Sequence, residues 1–282
     1  MRTATNVMQP NPRTLRGVVF FGLIAMLAFG CSESNPDIDG DSDGETDGDM
    51  VDGDADGDAL DEDGDTENDS DEEIDVDEEA DELSIAVCDP GAGPFSLTID
   101  NPYFPLPVGK HLVLEGNEGA TLLRVEFSVL DETEIVAGVT TRVVEERETE
   151  DGELIEISRN YFAQAPDGTV CYFGEAVDDY DGGEIVGHGG AWRAGEDGNQ
   201  PGIIMPAAPT VGMRYKQEVA PGVAEDRGEI VQMGESLTVP AGTFEDTLEV
   251  RETSPLDIGS SRKVYVRDIG MAVDGAIELI QY

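Results

Sequence analysis

Between Ser32 and Glu82 the chain carries 27 aspartates and glutamates and not one lysine or arginine. No other feature constrains the fold as strongly. The run opens CSESNPDIDGDSDGETDGD, with a glycine every few residues and almost nothing apolar to bury. Such a stretch repels itself along its length and cannot offset the entropy of ordering, so residues 31–85 are expected to form a disordered tether. A compact domain is thereby confined to residues 86–282, about 200 residues, enough for one filled core. Extended, the tether would reach on the order of 170 Å. As a neutral coil it would average roughly 40 Å, a figure that charge repulsion increases.

The acidity does not stop at the tract. The chain has 63 acids against 16 bases, a net charge of −47, and the part after Glu82 keeps 36 of those acids with 13 bases. A field of that sign repels phosphate, which argues against nucleic acid as a partner and against a polybasic contact with anionic lipid.

Two stretches of the tract, Asp39-Gly40-Asp41-Ser42-Asp43-Gly44 and Asp52-Gly53-Asp54-Ala55-Asp56-Gly57, match the first half of a calcium-binding EF-hand loop. The closing bidentate glutamate is missing, since its place falls on Met50 in one case and Asp63 in the other. No helical pattern flanks either loop. The expectation is weak, non-specific Ca2+ association with the tract and no defined metal site or cofactor.

Ahead of the tract, Arg2, Arg13 and Arg16 precede an apolar run from Val18 to Phe29, VVFFGLIAMLAF. Twelve apolar residues are too few to span a bilayer but suit the core of an export signal, so residues 1–30 read as a signal peptide. The residues Leu27-Ala28-Phe29-Gly30-Cys31 resemble the lipobox of bacterial lipoproteins, with Leu27 one place earlier than usual. That resemblance implies cleavage between Gly30 and Cys31 and lipidation of Cys31. More than one acyl chain on that cysteine is what stable anchoring requires. Ser32 in the next position implies the outer membrane by resemblance to the sorting rule of enteric bacteria.

Past the tract, alternation takes over. Leu123 to Val129 places apolar residues on one face and polar residues on the other, as a half-buried strand does. Ile155 to Ser158, Thr169 to Phe173, Glu229 to Met233, Thr247 to Thr253, Arg262 to Arg267 and Ala276 to Tyr282 read the same way. Turn pairs such as Asp151-Gly152 and Asp274-Gly275 separate them. No dozen residues carry a 3.6-residue apolar period. The expected fold is all-β: an antiparallel curved sheet, barrel or sandwich. Cys88 and Cys171 are an even pair in an exported chain, and a bridge between them is expected.

The segments Asn101 to Gly109 (NPYFPLPVG), Pro201 to Asp226 (beginning PGIIMPAAP), Thr238 to Phe244 (TVPAGTF) and Tyr265 to Val273 (YVRDIGMAV) together resemble a family of uncharacterised bacterial exported proteins and lipoproteins. The resemblance runs from about residue 95 to the C-terminus. It implies a grouping within the cell envelope and supplies no mechanism.

Candidate site residues are few. His111 and His188 are the two histidines, too far apart in sequence to suggest a metal site. His188-Gly189-Gly190 has the look of an esterase oxyanion segment, but neither the nucleophile elbow nor a strand–helix alternation accompanies it. No catalytic residue is assigned. The loop from Gly187 to Pro201 holds the single tryptophan, Trp192, beside Arg193, Glu196, Asp197, Asn199 and Gln200. Two readings stay open: an aromatic platform whose polar neighbours fix a sugar or a cation, or a tryptophan that plugs the edge of the core. The expected function is a monomeric, lipid-anchored, non-catalytic module that binds a ligand or partner in the envelope. The alternatives are an envelope glycan hydrolase using carboxylates or calcium, and a hollow β carrier of apolar ligands.

Overall fold

The structure is a computed structural model that describes residues 82–282. The signal segment, Gly30, Cys31 and the acidic tract lie outside the described residues. Seventeen strands follow one another: β1 (Glu82–Leu83), β2 (His111–Glu118), β3 (Thr121–Val136), β4 (Val139–Glu150), β5 (Glu153–Gln164), β6 (Val170–Asp181), β7 (Glu184–Gly187), β8 (Trp192–Arg193), β9 (Gly202–Met205), β10 (Arg214–Lys216), β11 (Arg227–Met233), β12 (Leu237–Val239), β13 (Gly242–Phe244), β14 (Thr247–Thr253), β15 (Ser261–Val266), β16 (Gly270–Asp274) and β17 (Ile277–Gln281). Two short 3-10 turns, Ile85–Cys88 and Pro90–Ala92, are the helical elements among the described residues. They are capped by Ser84, whose hydroxyl accepts from the Ala86 amide, and by Asp89, which accepts from that of Gly91.

Fifteen strands form one sheet, ordered β1-β10-β11-β14-β15-β16-β17-β2-β3-β4-β5-β6-β7, with β8 and β9 also paired to β6. Every ladder is antiparallel except that of β1 with β10. The expectation of an all-β curved sheet is met, and the sheet does not close into a barrel. Its first residues, Glu82 and Leu83, lie ahead of the boundary expected at residue 86. The margins approach at Gly202 of β9, where an added Cβ would sit 2.1 Å from the Gln217 carbonyl oxygen, so only glycine permits this approach.

Strands expected at Leu123–Val129 and Thr247–Thr253 are present, the first inside a 16-residue strand. That strand bends at a bulge between Val129 and Thr133, and the buried Arg142 donates to the carbonyls of Leu130 and Glu132 there. The Asn101–Gly109 segment inserts into one end of the core. The Asn101 side chain donates to the Gly168 and Pro206 carbonyls and accepts from the Tyr103 amide, tying three distant loops together. Phe104 meets Phe162 edge-on, with ring centroids 5.3 Å apart. The TVPAGTF segment forms the separate β12–β13 hairpin, and IIM lies within β9. Cys88 is disulfide-bonded to Cys171 of β6.

Candidate functional site

The loop from Gly187 to Pro201 is not the open platform that one reading of the sequence allowed. Trp192 is 4% exposed, and its ring meets that of Tyr172 edge-on at 5.3 Å. Trp192 and Arg193 form β8, pairing with Glu175 and Gly174 of β6. A Cβ on Gly174, whose φ is +126°, would lie 2.3 Å from the Trp192 carbonyl oxygen, so that glycine is what lets β8 settle there. The ring is therefore part of the core.

The polar neighbours of Trp192 hold the loop together. Arg193 donates to Glu134 at 2.7 Å and its guanidinium lies 5.0 Å above the Tyr161 ring. Glu196 lies 3.6 Å from the same guanidinium. The Asn199 amide donates to the Arg193 carbonyl, the Gln200 backbone bridges to Val219, and Asp197 takes a positive φ in the turn.

Both histidines are also accounted for. His111 Nδ1 is 3.1 Å from the Ser128 hydroxyl. His188 Nδ1 is 2.7 Å from the Val177 carbonyl and 3.0 Å from Asp178, while the Gly189 amide is spent on Asp179.

The chemically unusual region lies on the inward side of the sheet. In β4 the sequence Glu145-Glu146-Arg147-Glu148-Thr149-Glu150 alternates sides, which turns Glu146 and Glu148 inward and leaves Arg147 exposed. Cross-strand register then sets Glu148 opposite Glu156 of β5, and Glu156 opposite Asp179 of β6, three carboxyls abreast. Two residues further in, Glu146 faces Ser158, and beyond them Asn160 faces Glu175. Burial deepens along the same direction: Glu148 and Asp179 are half-buried, whereas Glu146, Asn160 and Glu175 are sealed.

The opposite side of the interior contributes Glu252 of β14, Lys263 of β15, Asp274 of β16, and Glu218 and Asp226 from the segment between β10 and β11. Lys263 is fully buried. Its ammonium lies 2.9 Å from Glu252 and 3.8 Å from Asp274.

Burial and mutual repulsion push these carboxyls up. Desolvation is the main cause throughout: it raises Glu148 to about 7, Glu156 to about 9, Glu175 to about 8, Asp226 to about 7 and Asp274 to about 7. Glu146 and Glu218 also stand well above the usual carboxylate range, for the same reason. Burial alone would lower Lys263, but Asp274 and Glu252 outweigh it and hold the ammonium charged.

Around this cluster several polar atoms have no hydrogen-bond partner among the described residues: one oxygen each of Glu175, Asp179, Glu218 and Asp226, and the hydroxyls of Tyr215 and Tyr265. Both tyrosines are sealed from solvent and within electrostatic reach of Glu252 and Lys263. Sealed polar atoms of this kind ordinarily have a partner.

A smaller apolar cavity of about 40 Å3 lies beyond Glu146, lined by Phe104, Leu106, Phe127, Phe162 and Met271. At its rim Lys110 donates to the Pro105 carbonyl at 2.7 Å, and burial lowers its ammonium to about 8. A space of that size holds about one water molecule. Among the described residues no group of three or more histidines, cysteines, aspartates or glutamates is arranged to hold a metal ion.

No family model and no curated protein matches the chain. Among solved structures, the chain is similar to a crystal structure from Bacteroides fragilis NCTC 9343 described as an inferred exported protein with a YmcC-like fold. The identity is 13%, the TM-score 0.30, and the match covers 64% of this chain and 98% of that one. A likeness that slight carries no argument about this chain.

Sequence reading missed the acidic interior because its members come from six strands and a loop. One signal was available. In Thr247–Thr253, Leu248, Val250 and Glu252 occupy alternate positions, which puts a glutamate on the apolar face.

Proposed function

We propose that the chain is an exported envelope protein, anchored by a lipid on Cys31, whose β domain is a binding module that takes a small organic cation on the acidic inward row of its sheet. The observation that carries the ligand class is the row Glu148, Glu156 and Asp179, backed by Glu146 and Glu175. Like charges set directly opposite one another in a sheet are destabilising unless something neutralises them. Protons do so in part, and a cation would replace them. Adjacent strands are about 4.8 Å apart, so the row spans roughly 10 Å, the reach of an amine bearing two or more charges. The partnerless oxygens of Asp179, in the row, and of Glu175, further along the same strand, are acceptors that such ammonium groups need.

The Cys88–Cys171 bond supports the exported reading, since a thiol pair of this kind persists in oxidising compartments. Neither alternative function has an observation of equal weight. A cavity of about 40 Å3 does not favour an apolar carrier.

Titration calorimetry with spermidine as a linear triamine, in two buffers of different ionisation enthalpy, tests the ligand class. The expected result is binding accompanied by proton release, weakened at least tenfold by Glu156→Gln. Binding of Ca2+ or Mg2+ alone, or no heat with any cation, would overturn it.

A further inference from the structure

The bases of the domain are unevenly placed. Of the 13 after Glu82, five (Arg214, Lys216, Arg227, Arg251 and Arg262) sit on the solvent face of β10, β11, β14 and β15. Alternation puts them there: each is flanked by the buried residues Tyr215, Gly228, Val250, Glu252 or Lys263. Register sets Arg214 opposite Glu229, Glu229 opposite Arg251, and Arg251 opposite Arg262, with Lys216 opposite Arg227.

We propose that this face is the docking site of the acidic segment that leads into it, residues 71–81 of the same chain. The described chain begins at this face: β1 pairs with β10, Glu82 opposite Arg214, and the Glu82 carboxylate is 3.4 Å from Lys216. Directly upstream stand eight acids in eleven residues, Asp71 to Asp81. The face offers a groove of about 390 Å3 whose charged lining is Arg214, Lys216, Arg227 and Arg251 with Glu82 and Glu229. Two acids on the face itself, Glu229 and Glu249, pair with Arg214, Arg251 and Arg262. Arg227 forms no ion pair among the described residues, so the surplus of positive charge is centred on it.

Reach is sufficient. Eleven residues extend up to about 36 Å, and the four strands cover roughly 15 Å. Each exposed ion pair is individually weak. Tethering at Glu82 offsets that weakness by holding the segment at an effective concentration of about millimolar or above. The contact is electrostatic and solvent-exposed, so salt loosens it. A docked segment shortens the arm between Cys31 and the domain, and ionic strength thereby sets its length.

The test uses the full chain with Cys31→Ser and spin labels on Ser70→Cys and Asp257→Cys, the latter in the loop that follows β14. Double electron–electron resonance at low salt is expected to give a short, narrow distance distribution. In about 1 M salt, where screening acts within roughly 3 Å, it should lengthen and broaden, and Arg227→Glu with Arg251→Glu should give the same broad distribution at low salt. A broad distribution at low salt, unchanged by salt, would overturn the proposal. So would a short distance lost on dilution with unlabelled chain, which would assign the face to a second copy. Should the charge reversals disturb folding by near-ultraviolet circular dichroism, the salt series on the unreversed chain decides.

Discussion

A lysine with no access to water is stable only while carboxylates face it, and for Lys263 those are Glu252 and Asp274. Replacing it with methionine keeps the volume and removes the charge, leaving buried acids without a counter-ion. Lys263→Met is expected to cost about 3–5 kcal/mol, read as a lowered midpoint in urea unfolding. Trp192 makes a second residue-scale case. As the single tryptophan it reports its own surroundings, and a sealed ring predicts blue-shifted emission that iodide barely quenches. Trp192→Ala should remove about 3–5 kcal/mol. Red-shifted, readily quenched emission would return the ring to the surface and reopen the platform reading.

At the scale of elements, the Cys88–Cys171 bond joins the lead-in of the domain to β6 across 83 residues of sequence. In the chain-entropy picture a loop that long contributes about 4–5 kcal/mol. Reduction is accordingly expected to lower the thermal midpoint by roughly 10 °C, which calorimetry with and without reductant would show. Elements also differ in how legible they were. β14 could be read because Leu248 and Val250 alternate with Glu249 and Arg251, the signature of one buried face. β4 could not: in VTTRVVEERETE acids stand on both faces, so the inward row looks like a solvated one. β8 is two residues inside a glycine-rich polar loop, and its position depends on Gly174, a partner that periodicity cannot supply. The sheet was therefore visible from sequence and the acidic interior was not, because it exists only once distant strands are in register.

For the whole molecule the raised carboxyls fix the direction of pH dependence. Glu148, Glu156, Glu175, Asp226 and Asp274 hold protons to about 7–9 when folded, against about 4 when unfolded. Between those limits the folded state binds more protons, so stability is full at low pH and is lost as pH rises through the folded values. The thermal midpoint should fall by about 5 °C or more from pH 5 to pH 9, and added triamine should flatten the slope. A midpoint rising over that range would contradict the protonated interior.

The way the domain begins also decides how it responds to force. At high salt, where the proposed docking is released, a pull on the chain upstream of Glu82 acts first on β1, two residues hydrogen-bonded to β10 at the sheet margin, a contact that gives way at little cost. Five residues after Leu83 the load reaches Cys88 and passes through a covalent bond into β6, which is clamped between β5 and the short strands β7, β8 and β9. Strands β2 to β5 are bypassed. The domain would thus yield by a few residues of slack and then hold, with the load carried into β6, the strand that supplies Glu175 and Asp179.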